Sequence, residues 1–100
     1  MESQLGTVYV YEEDEKIIAT GKLLREHKFY DPVGHIEDIV VDKEHRGRGL
    51  GSKMIKVLVE KAFKNKCYKV VLGRNDSIGG FYEKLGFKAK GNQMVMYNAL

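Results

Sequence analysis

Residues 35–64 read HIEDIVVDKEHRGRGLGSKMIKVLVEKAFK, and this stretch decides the fold. It opens with His35–Val41, a run that ends in consecutive apolar residues, as a buried central strand does. A glycine cluster follows at 45–51, and apolar residues then return at the spacing of one helix face. Those apolar residues are Leu50, Met54, Ile55, Leu58 and Ala62. The stretch therefore predicts a strand, a glycine-rich turn and a helix in direct succession.

The rest of the chain adds further strands and a second helix. Upstream, two runs of β-branched and aromatic residues are joined by a short charged segment, as in an antiparallel hairpin. Downstream, a short helical pattern ends at Gly86, and a closing hairpin surrounds Gly91-Asn92. The elements predicted besides 35–64 are strands at Thr7–Tyr11, Ile17–Leu24 and Tyr68–Leu72, a loop at His27–Gly34, N-cap residues Asn75-Asp-Ser77, and a helix carrying Ile78, Phe81, Tyr82 and Leu85. This order predicts a mixed α/β fold with at least one right-handed crossover.

Composition and charge exclude several classes of protein. The 100 residues are 43% hydrophobic and 31% charged, which is typical of a single globular domain, predicted to span residues 1–100. No membrane-spanning run or signal segment is recognisable, and the single cysteine, Cys67, favours a reducing compartment. We therefore expect a cytoplasmic protein with no membrane partner. The net charge of +3 is too small to argue for nucleic acid as a partner. No metal is expected, because His35 has no second His or Cys at ligand spacing.

The glycine cluster Arg46-Gly-Arg-Gly-Leu-Gly51 is the most informative feature for function. Glycines let successive backbone N–H groups point into one concavity, and the helix that begins there adds unpaired N–H groups and a partial positive charge. Such a turn suits a phosphate or pyrophosphate, although its residue order is neither that of a P-loop nor the Rossmann GxGxxG. The alternative is a plain strand-to-helix turn with a solvated basic surface. The candidate ligand contacts are Arg46, Gly47, Arg48, Gly49, Leu50, Gly51 and Ser52.

Two ordered motifs carry a resemblance to a known superfamily. Arg46-x-x-Gly49-x-Gly51 after an apolar strand, followed by Asn75-x-x-Ile78-x-x-Phe81-Tyr82, resembles the motif pair of the GCN5-related N-acetyltransferases, abbreviated GNAT. The resemblance implies the acyl-CoA N-acyltransferase fold and acetyl-CoA as co-substrate, with its pyrophosphate on the first motif. It also implies cofactor contacts from Asn75 and Tyr82, with Tyr82 near the sulfur. The pantetheine amides would pair with Ile39, Val40 and Val41 as with an added strand.

Within this superfamily, residues 5–97 most resemble the enzymes that acetylate glucosamine 6-phosphate. The likeness implies direct acetyl transfer to a small-molecule amine, giving N-acetylglucosamine 6-phosphate for amino-sugar nucleotide biosynthesis. It also implies a homodimer in which Tyr68 and Lys69 reach the neighbouring pocket. The implied acceptor contacts are Lys28, Glu37, Asp38, Tyr68, Lys69 and the main-chain carbonyl of Gly73.

The chain departs from these enzymes in two places. The given sequence opens at what resembles the second strand of these enzymes, so we expect a fold without their usual N-terminal strand and helices, which help to wall the acceptor pocket. The arginine that usually serves the sugar phosphate in the last strand falls at Tyr97. Coenzyme A binding is therefore better supported by the residues than the sugar acceptor is.

Tyr82 and Glu37 are the candidate catalytic residues. A phenol keeps its proton at neutral pH and can donate it to a thiolate, whereas a carboxylate can take a proton from an amine directly or through water. Each has a structural alternative: Tyr82 could pack in the core, although Phe81 suits the core better, and Glu37 could be a solvated charge. Because Glu37 and Asp38 are neighbours in a strand, we expect their side chains on opposite faces.

Other functions also fit the residues. The same chemistry could act on a protein N-terminus, a lysine or a polyamine; the chain could bind coenzyme A without activity; or the Arg46–Arg48 turn could bind phosphate or nucleic acid. A homodimer is expected from size as well, because two helices leave part of a mixed sheet uncovered and its apolar surface open.

Overall fold

Six strands and two α-helices make up the part of the chain that the computed structural model describes, residues 6–27, 32–73 and 80–98. In chain order they are β1 (Thr7–Glu13), β2 (Lys16–Glu26), β3 (Val33–Val41), α1 (Leu50–Lys64), β4 (Lys69–Gly73), α2 (Phe81–Lys84), β5 (Lys88–Lys90) and β6 (Gln93–Tyr97). A 3₁₀ turn, Lys43–His45, lies between β3 and the glycine cluster. The predicted N-cap residues 75–77, Ile78 and residues 28–31 of the predicted loop lie outside the described residues.

The strands form one sheet in the order β1-β2-β3-β4-β6-β5. All neighbouring strands are antiparallel except β3 and β4, which are parallel and are connected through α1. A parallel pair needs such a crossover, because the chain must return to the same end of the sheet. The predicted mixed α/β fold is confirmed, and its two parallel strands lie in the middle of the sheet.

The third strand begins earlier than the sequence pattern predicted. Val33 and Gly34, assigned above to a loop, are buried and pair with β2 on one side and with β4 on the other. A proline and a glycine in close succession favour a turn locally, but hydrogen bonding to two neighbouring strands outweighs that preference. The fourth strand, conversely, begins at Lys69 rather than at Tyr68.

The core lies between the sheet and one face of α1. All the helix positions that the apolar spacing selected are buried, namely Leu50, Met54, Ile55, Leu58 and Ala62. The helix approaches the sheet closely because β2 carries Gly21 beneath it. A Cβ at Gly21 would stand 2.8 Å from atoms of Ile39 and of Met54. The amphipathic pattern of the sequence thus identifies the helix face that packs on the sheet, and Gly21 permits the short distance between helix and sheet.

The opposite face of the sheet carries exposed apolar side chains. Phe81 and Leu85 pack against the same core cluster as α1, so both described helices cover one face. On the other face, Val8, Val10 and Val40 are 61%, 47% and 56% exposed. The expectation that apolar surface is left open is therefore confirmed for the described residues.

A β-bulge interrupts β3 at Asp38. The pairing of β2 with β3 shifts between Thr20 and Lys22, where β3 has one residue more than β2. Asp38 has a φ of +55°, a conformation that Asp adopts more readily than most residues. Because of the extra residue, Ile36 and Ile39 both contact the core although they are three positions apart.

The bulge bears on one expectation about the two neighbouring carboxylates. The prediction that Glu37 and Asp38 lie on opposite faces assumed regular alternation along the strand, and the bulge interrupts that alternation. Both side chains are exposed at this distortion of β3, and their placement on opposite faces stays a prediction.

The backbone conformation of the two-residue turn between β1 and β2 can be tested by substitution. Asp14 and Glu15 have φ values of +52° and +64°, as in the hairpin turns that favour glycine at the second position. We expect Glu15→Gly to raise the free energy of unfolding by about 0.5–1 kcal/mol, since it relieves a left-handed conformation of a side-chain-bearing residue. Denaturant unfolding measures the change. Glu15→Ala is the control and should give no gain; equal stability of all three proteins would contradict the turn assignment.

Candidate functional site

The middle of the sheet opens where β3 and β4 separate. Their pairing covers only Val33–His35 on β3 and Lys69–Val71 on β4. Beyond it, β3 continues to Val41 and β4 to Gly73 without pairing to each other, while β3 stays paired with β2. Among the described residues, one edge of 36–41 therefore has backbone N–H and C=O groups available to hydrogen-bond an extended ligand.

A cavity of about 260 Å³ lies at the carboxyl end of β3, where α1 begins. It is lined by Val41, Arg46, Gly47, Gly49, Leu50, Gly51, Ser52 and Phe81. The first hydrogen bond of α1 runs from the Lys53 N–H to the Gly49 carbonyl, so the earlier N–H groups of the helix have no helical partner. Gly49 supplies no capping side chain, and the first turn holds no acidic residue. These N–H groups and the helix dipole favour an anion such as a phosphate.

Two glycines of the cluster are required for their backbone conformation. Gly47 and Gly49 have φ values of +84° and +78°, which residues with side chains rarely adopt. A Cβ at either position would meet no protein atom within 4 Å, so packing does not explain the small residue. The space in front of them is open, as close approach by a ligand requires.

The two arginines of the cluster have different partners. Arg46 lines the cavity, and its Nε donates a hydrogen bond to the Val41 carbonyl at 3.3 Å. Arg48 instead donates to both carboxylate oxygens of Glu13 on β1, at 3.2 Å each. Of the predicted contacts at 46–52, Arg48 is therefore the one that the structure leaves outside the cavity. No spacing in the sequence reveals this ion pair, because Glu13 lies 35 residues before Arg48.

The Arg48–Glu13 ion pair changes the ionisation of the carboxyl group. It lowers the pKa of Glu13, chiefly through the hydrogen bond and then through the positive charge of Arg48. A lowered carboxyl pKa means that the contact is complete at neutral pH and is lost as the pH falls through that lowered value. At neutral pH, the ionised Glu13 therefore holds the Arg48 guanidinium away from the cavity.

Both aromatic residues of α2 contact the core, as was predicted for Phe81 but not for Tyr82. Phe81, predicted for the core, packs against the core and also lines the cavity. Tyr82 is partly buried in edge contacts with Phe81 and Phe87, at ring-centroid distances of 5.3 and 6.2 Å. Its hydroxyl makes no hydrogen bond to the described residues. Sequence spacing alone did not distinguish the burial of Phe81 from that of Tyr82, because both side chains lie on the partly buried side of a short helix.

Some of the predicted acceptor contacts meet at the separated strands. Glu37 and Asp38 lie on β3 beyond the last β3–β4 pair, and Gly73 ends β4 on the other side of the gap. A Cβ at Gly73 would meet nothing within 4 Å, so its backbone is accessible. These residues therefore flank one opening. Lys28 and Asn75 lie outside the described residues.

Other predicted acceptor contacts lie elsewhere. Lys69 begins β4, at the opposite end from Gly73, which places it roughly 13 Å along the strand. Its ammonium lies over the rings of Tyr68 and Tyr97, at 5.5 and 6.0 Å from their centroids. The hydroxyl of Tyr97 accepts a hydrogen bond from the ammonium of Lys90 at 3.4 Å. This cationic and aromatic group is separate from the opening at Gly73 in the same chain.

Among residues 6–27, 32–73 and 80–98, no group of three or more His, Cys, Asp or Glu side chains could hold a metal ion. Nor does that part of the chain contain a helix of the length and apolarity needed to cross a membrane.

A parallel strand pair that separates beside a glycine-rich helix N-terminus has a form that suits an extended, phosphate-bearing ligand. Comparison with known proteins shows which family the chain belongs to. The Acetyltransferase (GNAT) family matches residues 2–87, and the chain belongs to this family. The predicted family is thereby confirmed.

Two relatives of the chain carry related names. The chain is 46% identical over 87 residues to the probable glucosamine 6-phosphate N-acetyltransferase 2 of Oryza sativa subsp. japonica, a match that covers 84% of the chain and 52% of the relative. It is 41% identical over 90 residues to the glucosamine 6-phosphate N-acetyltransferase of Trypanosoma brucei brucei, covering 87% and 61%. The chain thus spans little more than half the length of these relatives.

A solved structure shows the same fold. The crystal structure of glucosamine-6-phosphate N-acetyltransferase from Arabidopsis thaliana superimposes with a TM-score of 0.82 and 39% sequence identity, and the match covers 94% of this chain and 67% of that one. The separated strands and the glycine cluster are therefore set in a sheet with the architecture of that structure.

Gly51 offers a direct test of the cavity. It lies inside α1, and a Cβ there would meet only Val41, at an ordinary 3.9 Å. Gly51→Ala should therefore leave the fold intact and raise helix stability by up to about 1 kcal/mol. It should nevertheless weaken acetyl-CoA binding about tenfold or more, because the methyl group stands in front of N–H groups whose bonds to a charged ligand contribute about 1.5–3 kcal/mol each.

Calorimetric titration with acetyl-CoA, together with thermal unfolding, measures both effects. Lys53→Arg, a change at an exposed position in the same turn of the helix that keeps the positive charge, is the control and should leave the affinity unchanged. A Gly51→Ala protein that binds acetyl-CoA as tightly as the unaltered chain would contradict the assignment of the cavity.

Proposed function

We propose that the chain is part or all of an acetyl-CoA-dependent N-acetyltransferase that transfers the acetyl group directly to the amine of glucosamine 6-phosphate. The observation that carries the proposal is the separation of β3 from β4 beside the unpaired N–H groups of α1. The first feature suits an extended pantetheine arm and the second suits a pyrophosphate. The names and identities of the relatives support the choice of acceptor.

The cofactor contacts divide into two groups. Backbone N–H groups of Gly47 to Ser52 would bind the pyrophosphate, with Arg46 at the side of the cavity. The free edge of Ile39–Val41 would hydrogen-bond the pantetheine amides as a neighbouring strand would. The open space at the glycines and the uncapped helix are the features of this chain that fit such a ligand. The bound group supplies a thioester whose carbonyl carbon is the electrophile.

The transfer itself needs a neutral amine, a polarised carbonyl and a proton for the leaving thiolate. Glu37, exposed at the bulge, would take the proton from the amine directly or through water. Main-chain N–H groups at the end of β3 would polarise the carbonyl, since donors fixed in place stabilise the developing oxyanion. Tyr82 would protonate the thiolate, as a phenol does at neutral pH.

The acceptor would be bound beside the opening by Glu37, Asp38 and the carbonyl of Gly73, with Lys28 as a further contact. The distance of Tyr68 and Lys69 from that opening supports a homodimer, in which they serve the site of the other subunit. The exposed valines on the open face of the sheet support the same proposal. A cytoplasmic location and a place in amino-sugar nucleotide biosynthesis stay predictions.

Thiol release from acetyl-CoA tests the proposal. We expect release that depends on glucosamine 6-phosphate and that exceeds release with a peptide N-terminus, free lysine or a polyamine. Faster turnover with one of those amines would overturn the choice of acceptor. Acetyl-CoA binding without any turnover would leave a coenzyme A-binding module.

Tyr82→Phe tests the assignment of the general acid. The change removes only the hydroxyl, so kcat should fall about 10²-fold while the affinity for acetyl-CoA changes little. Tyr9→Phe removes a hydroxyl from another partly buried tyrosine of the core and is the matched control. If both variants turn over at the unaltered rate, Tyr82 serves only in packing.

Mixed subunits test the shared acceptor site. Lys69→Ala and Glu37→Ala proteins should each lose activity, and their mixture should regain part of it, because one of the two mixed sites then holds both native residues. Sedimentation should show a dimer whose affinity for acetyl-CoA is unaffected by Lys69→Ala. A fully active monomer would contradict the shared site.

A further inference from the structure

Four side chains form a continuous series of contacts behind the glycine cluster. The Asp42 carboxylate lies 2.7 Å from His45 Nδ1, and His45 Nε2 lies 3.6 Å from the Glu13 carboxylate. Glu13 in turn accepts the two hydrogen bonds from Arg48. We call these four residues the loop clamp. It joins the last residue of β1 to the segment between β3 and α1.

The backbone that the loop clamp spans has few other restraints. Among the described residues, no backbone hydrogen bond involves the N–H or C=O groups of residues 46–48. The two glycines at positive φ have more accessible conformations than other residues, so fixing them costs more entropy. Apart from the hydrogen bond of Arg46 to β3, the contacts of His45 and Arg48 are what restrict this loop.

We propose that Glu13 and His45 are positioning residues for cofactor binding, which hold Gly47 and Gly49 in the conformation that directs the loop N–H groups into the cavity. The identity of the cofactor rests on the proposed function. A loop that is already ordered loses less conformational entropy when the ligand binds. Loss of the clamp should therefore appear in the affinity for acetyl-CoA and not in the rate of the chemical step.

Substitution of Glu13 distinguishes a loss of loop positioning from a purely electrostatic effect, because the two change the affinity for acetyl-CoA in opposite directions. Lys16 and the backbone of Glu44 also act on Asp42, whose pKa is lowered chiefly by its hydrogen bond with His45. Both clamp carboxylates are thus ionised at neutral pH. Glu13→Gln removes a negative charge near an anion site, and by Coulomb's law alone this would tighten acetyl-CoA binding. If Glu13→Gln binds acetyl-CoA more weakly, the cause is therefore the loss of the contacts that hold the loop in position.

The experiment compares Glu13→Gln and His45→Gln with the unaltered protein. We expect the Kd for acetyl-CoA to rise about fivefold or more in each, while kcat at saturating acetyl-CoA changes less than about twofold. In a protein that already carries Arg48→Gln, adding Glu13→Gln should weaken binding by a smaller factor than it does alone, because one of the two contacts of Glu13 is already lost. Unchanged or tighter binding by the single variant Glu13→Gln would overturn the proposal.

His35→Gln is the matched control. It breaks another contact between a histidine and a carboxylate, at 2.6 Å from Glu26, near the start of β3 and away from the loop. It should leave the affinity for acetyl-CoA unchanged, and an equal loss in this variant would mean that the clamp has no special role.

A second measurement does not depend on the cofactor. In the free protein, ¹⁵N heteronuclear NOEs of Gly47 and Gly49 should fall in Glu13→Gln, because the loop becomes more mobile on the fast timescale. Unchanged values would overturn the clamp even if binding is altered. If the unaltered protein does not bind acetyl-CoA, the proposed function fails while this measurement still tests the clamp.

Discussion

Beyond His35, β3 stops pairing with β4 but stays paired with β2, and the site depends on this one-sided pairing. The bulge at Asp38 lies in the separated segment and holds a left-handed conformation, which costs on the order of 1–3 kcal/mol. Burying an aliphatic side chain contributes about 1.5–3 kcal/mol, and the bulge places both Ile36 and Ile39 against the core. Core packing therefore offsets the strain, so the strand stays ordered while its other edge is left free.

The part of the site that is proposed to bind an anion is built mainly from the backbone. Its donors are N–H groups at the start of α1, and these neither titrate nor depend on a rotamer. The arginines have supporting contacts: Arg46 bonds the end of β3, and Arg48 is paired with Glu13. The glycine cluster thus has the conformation for close approach, while the side chains beside it restrict that conformation.

The two halves of the proposed site differ in how far apart their residues lie along the chain. The cofactor contacts of β3 and the glycine cluster fall within residues 39–52, and Phe81 joins them from α2. The acceptor contacts are spread over the bulge of β3 and both ends of β4. A local motif could therefore reveal the cofactor half, whereas the acceptor half was inferred from resemblance to relatives that are themselves longer than this chain.

The sequence by itself determined the elements, because periodicity and turn residues are local properties. The apolar spacing from Leu50 to Ala62 predicted the buried face of α1, and the order of elements predicted a mixed sheet. Only the tertiary structure decided that Gly34 belongs to a strand, that Glu37 and Asp38 lie at a bulge, and that Arg48 is paired with β1. Each of these depends on a partner distant in sequence, either a neighbouring strand or a carboxylate 35 residues away. Local propensity carries no information about such partners, and their hydrogen bonds outweigh it.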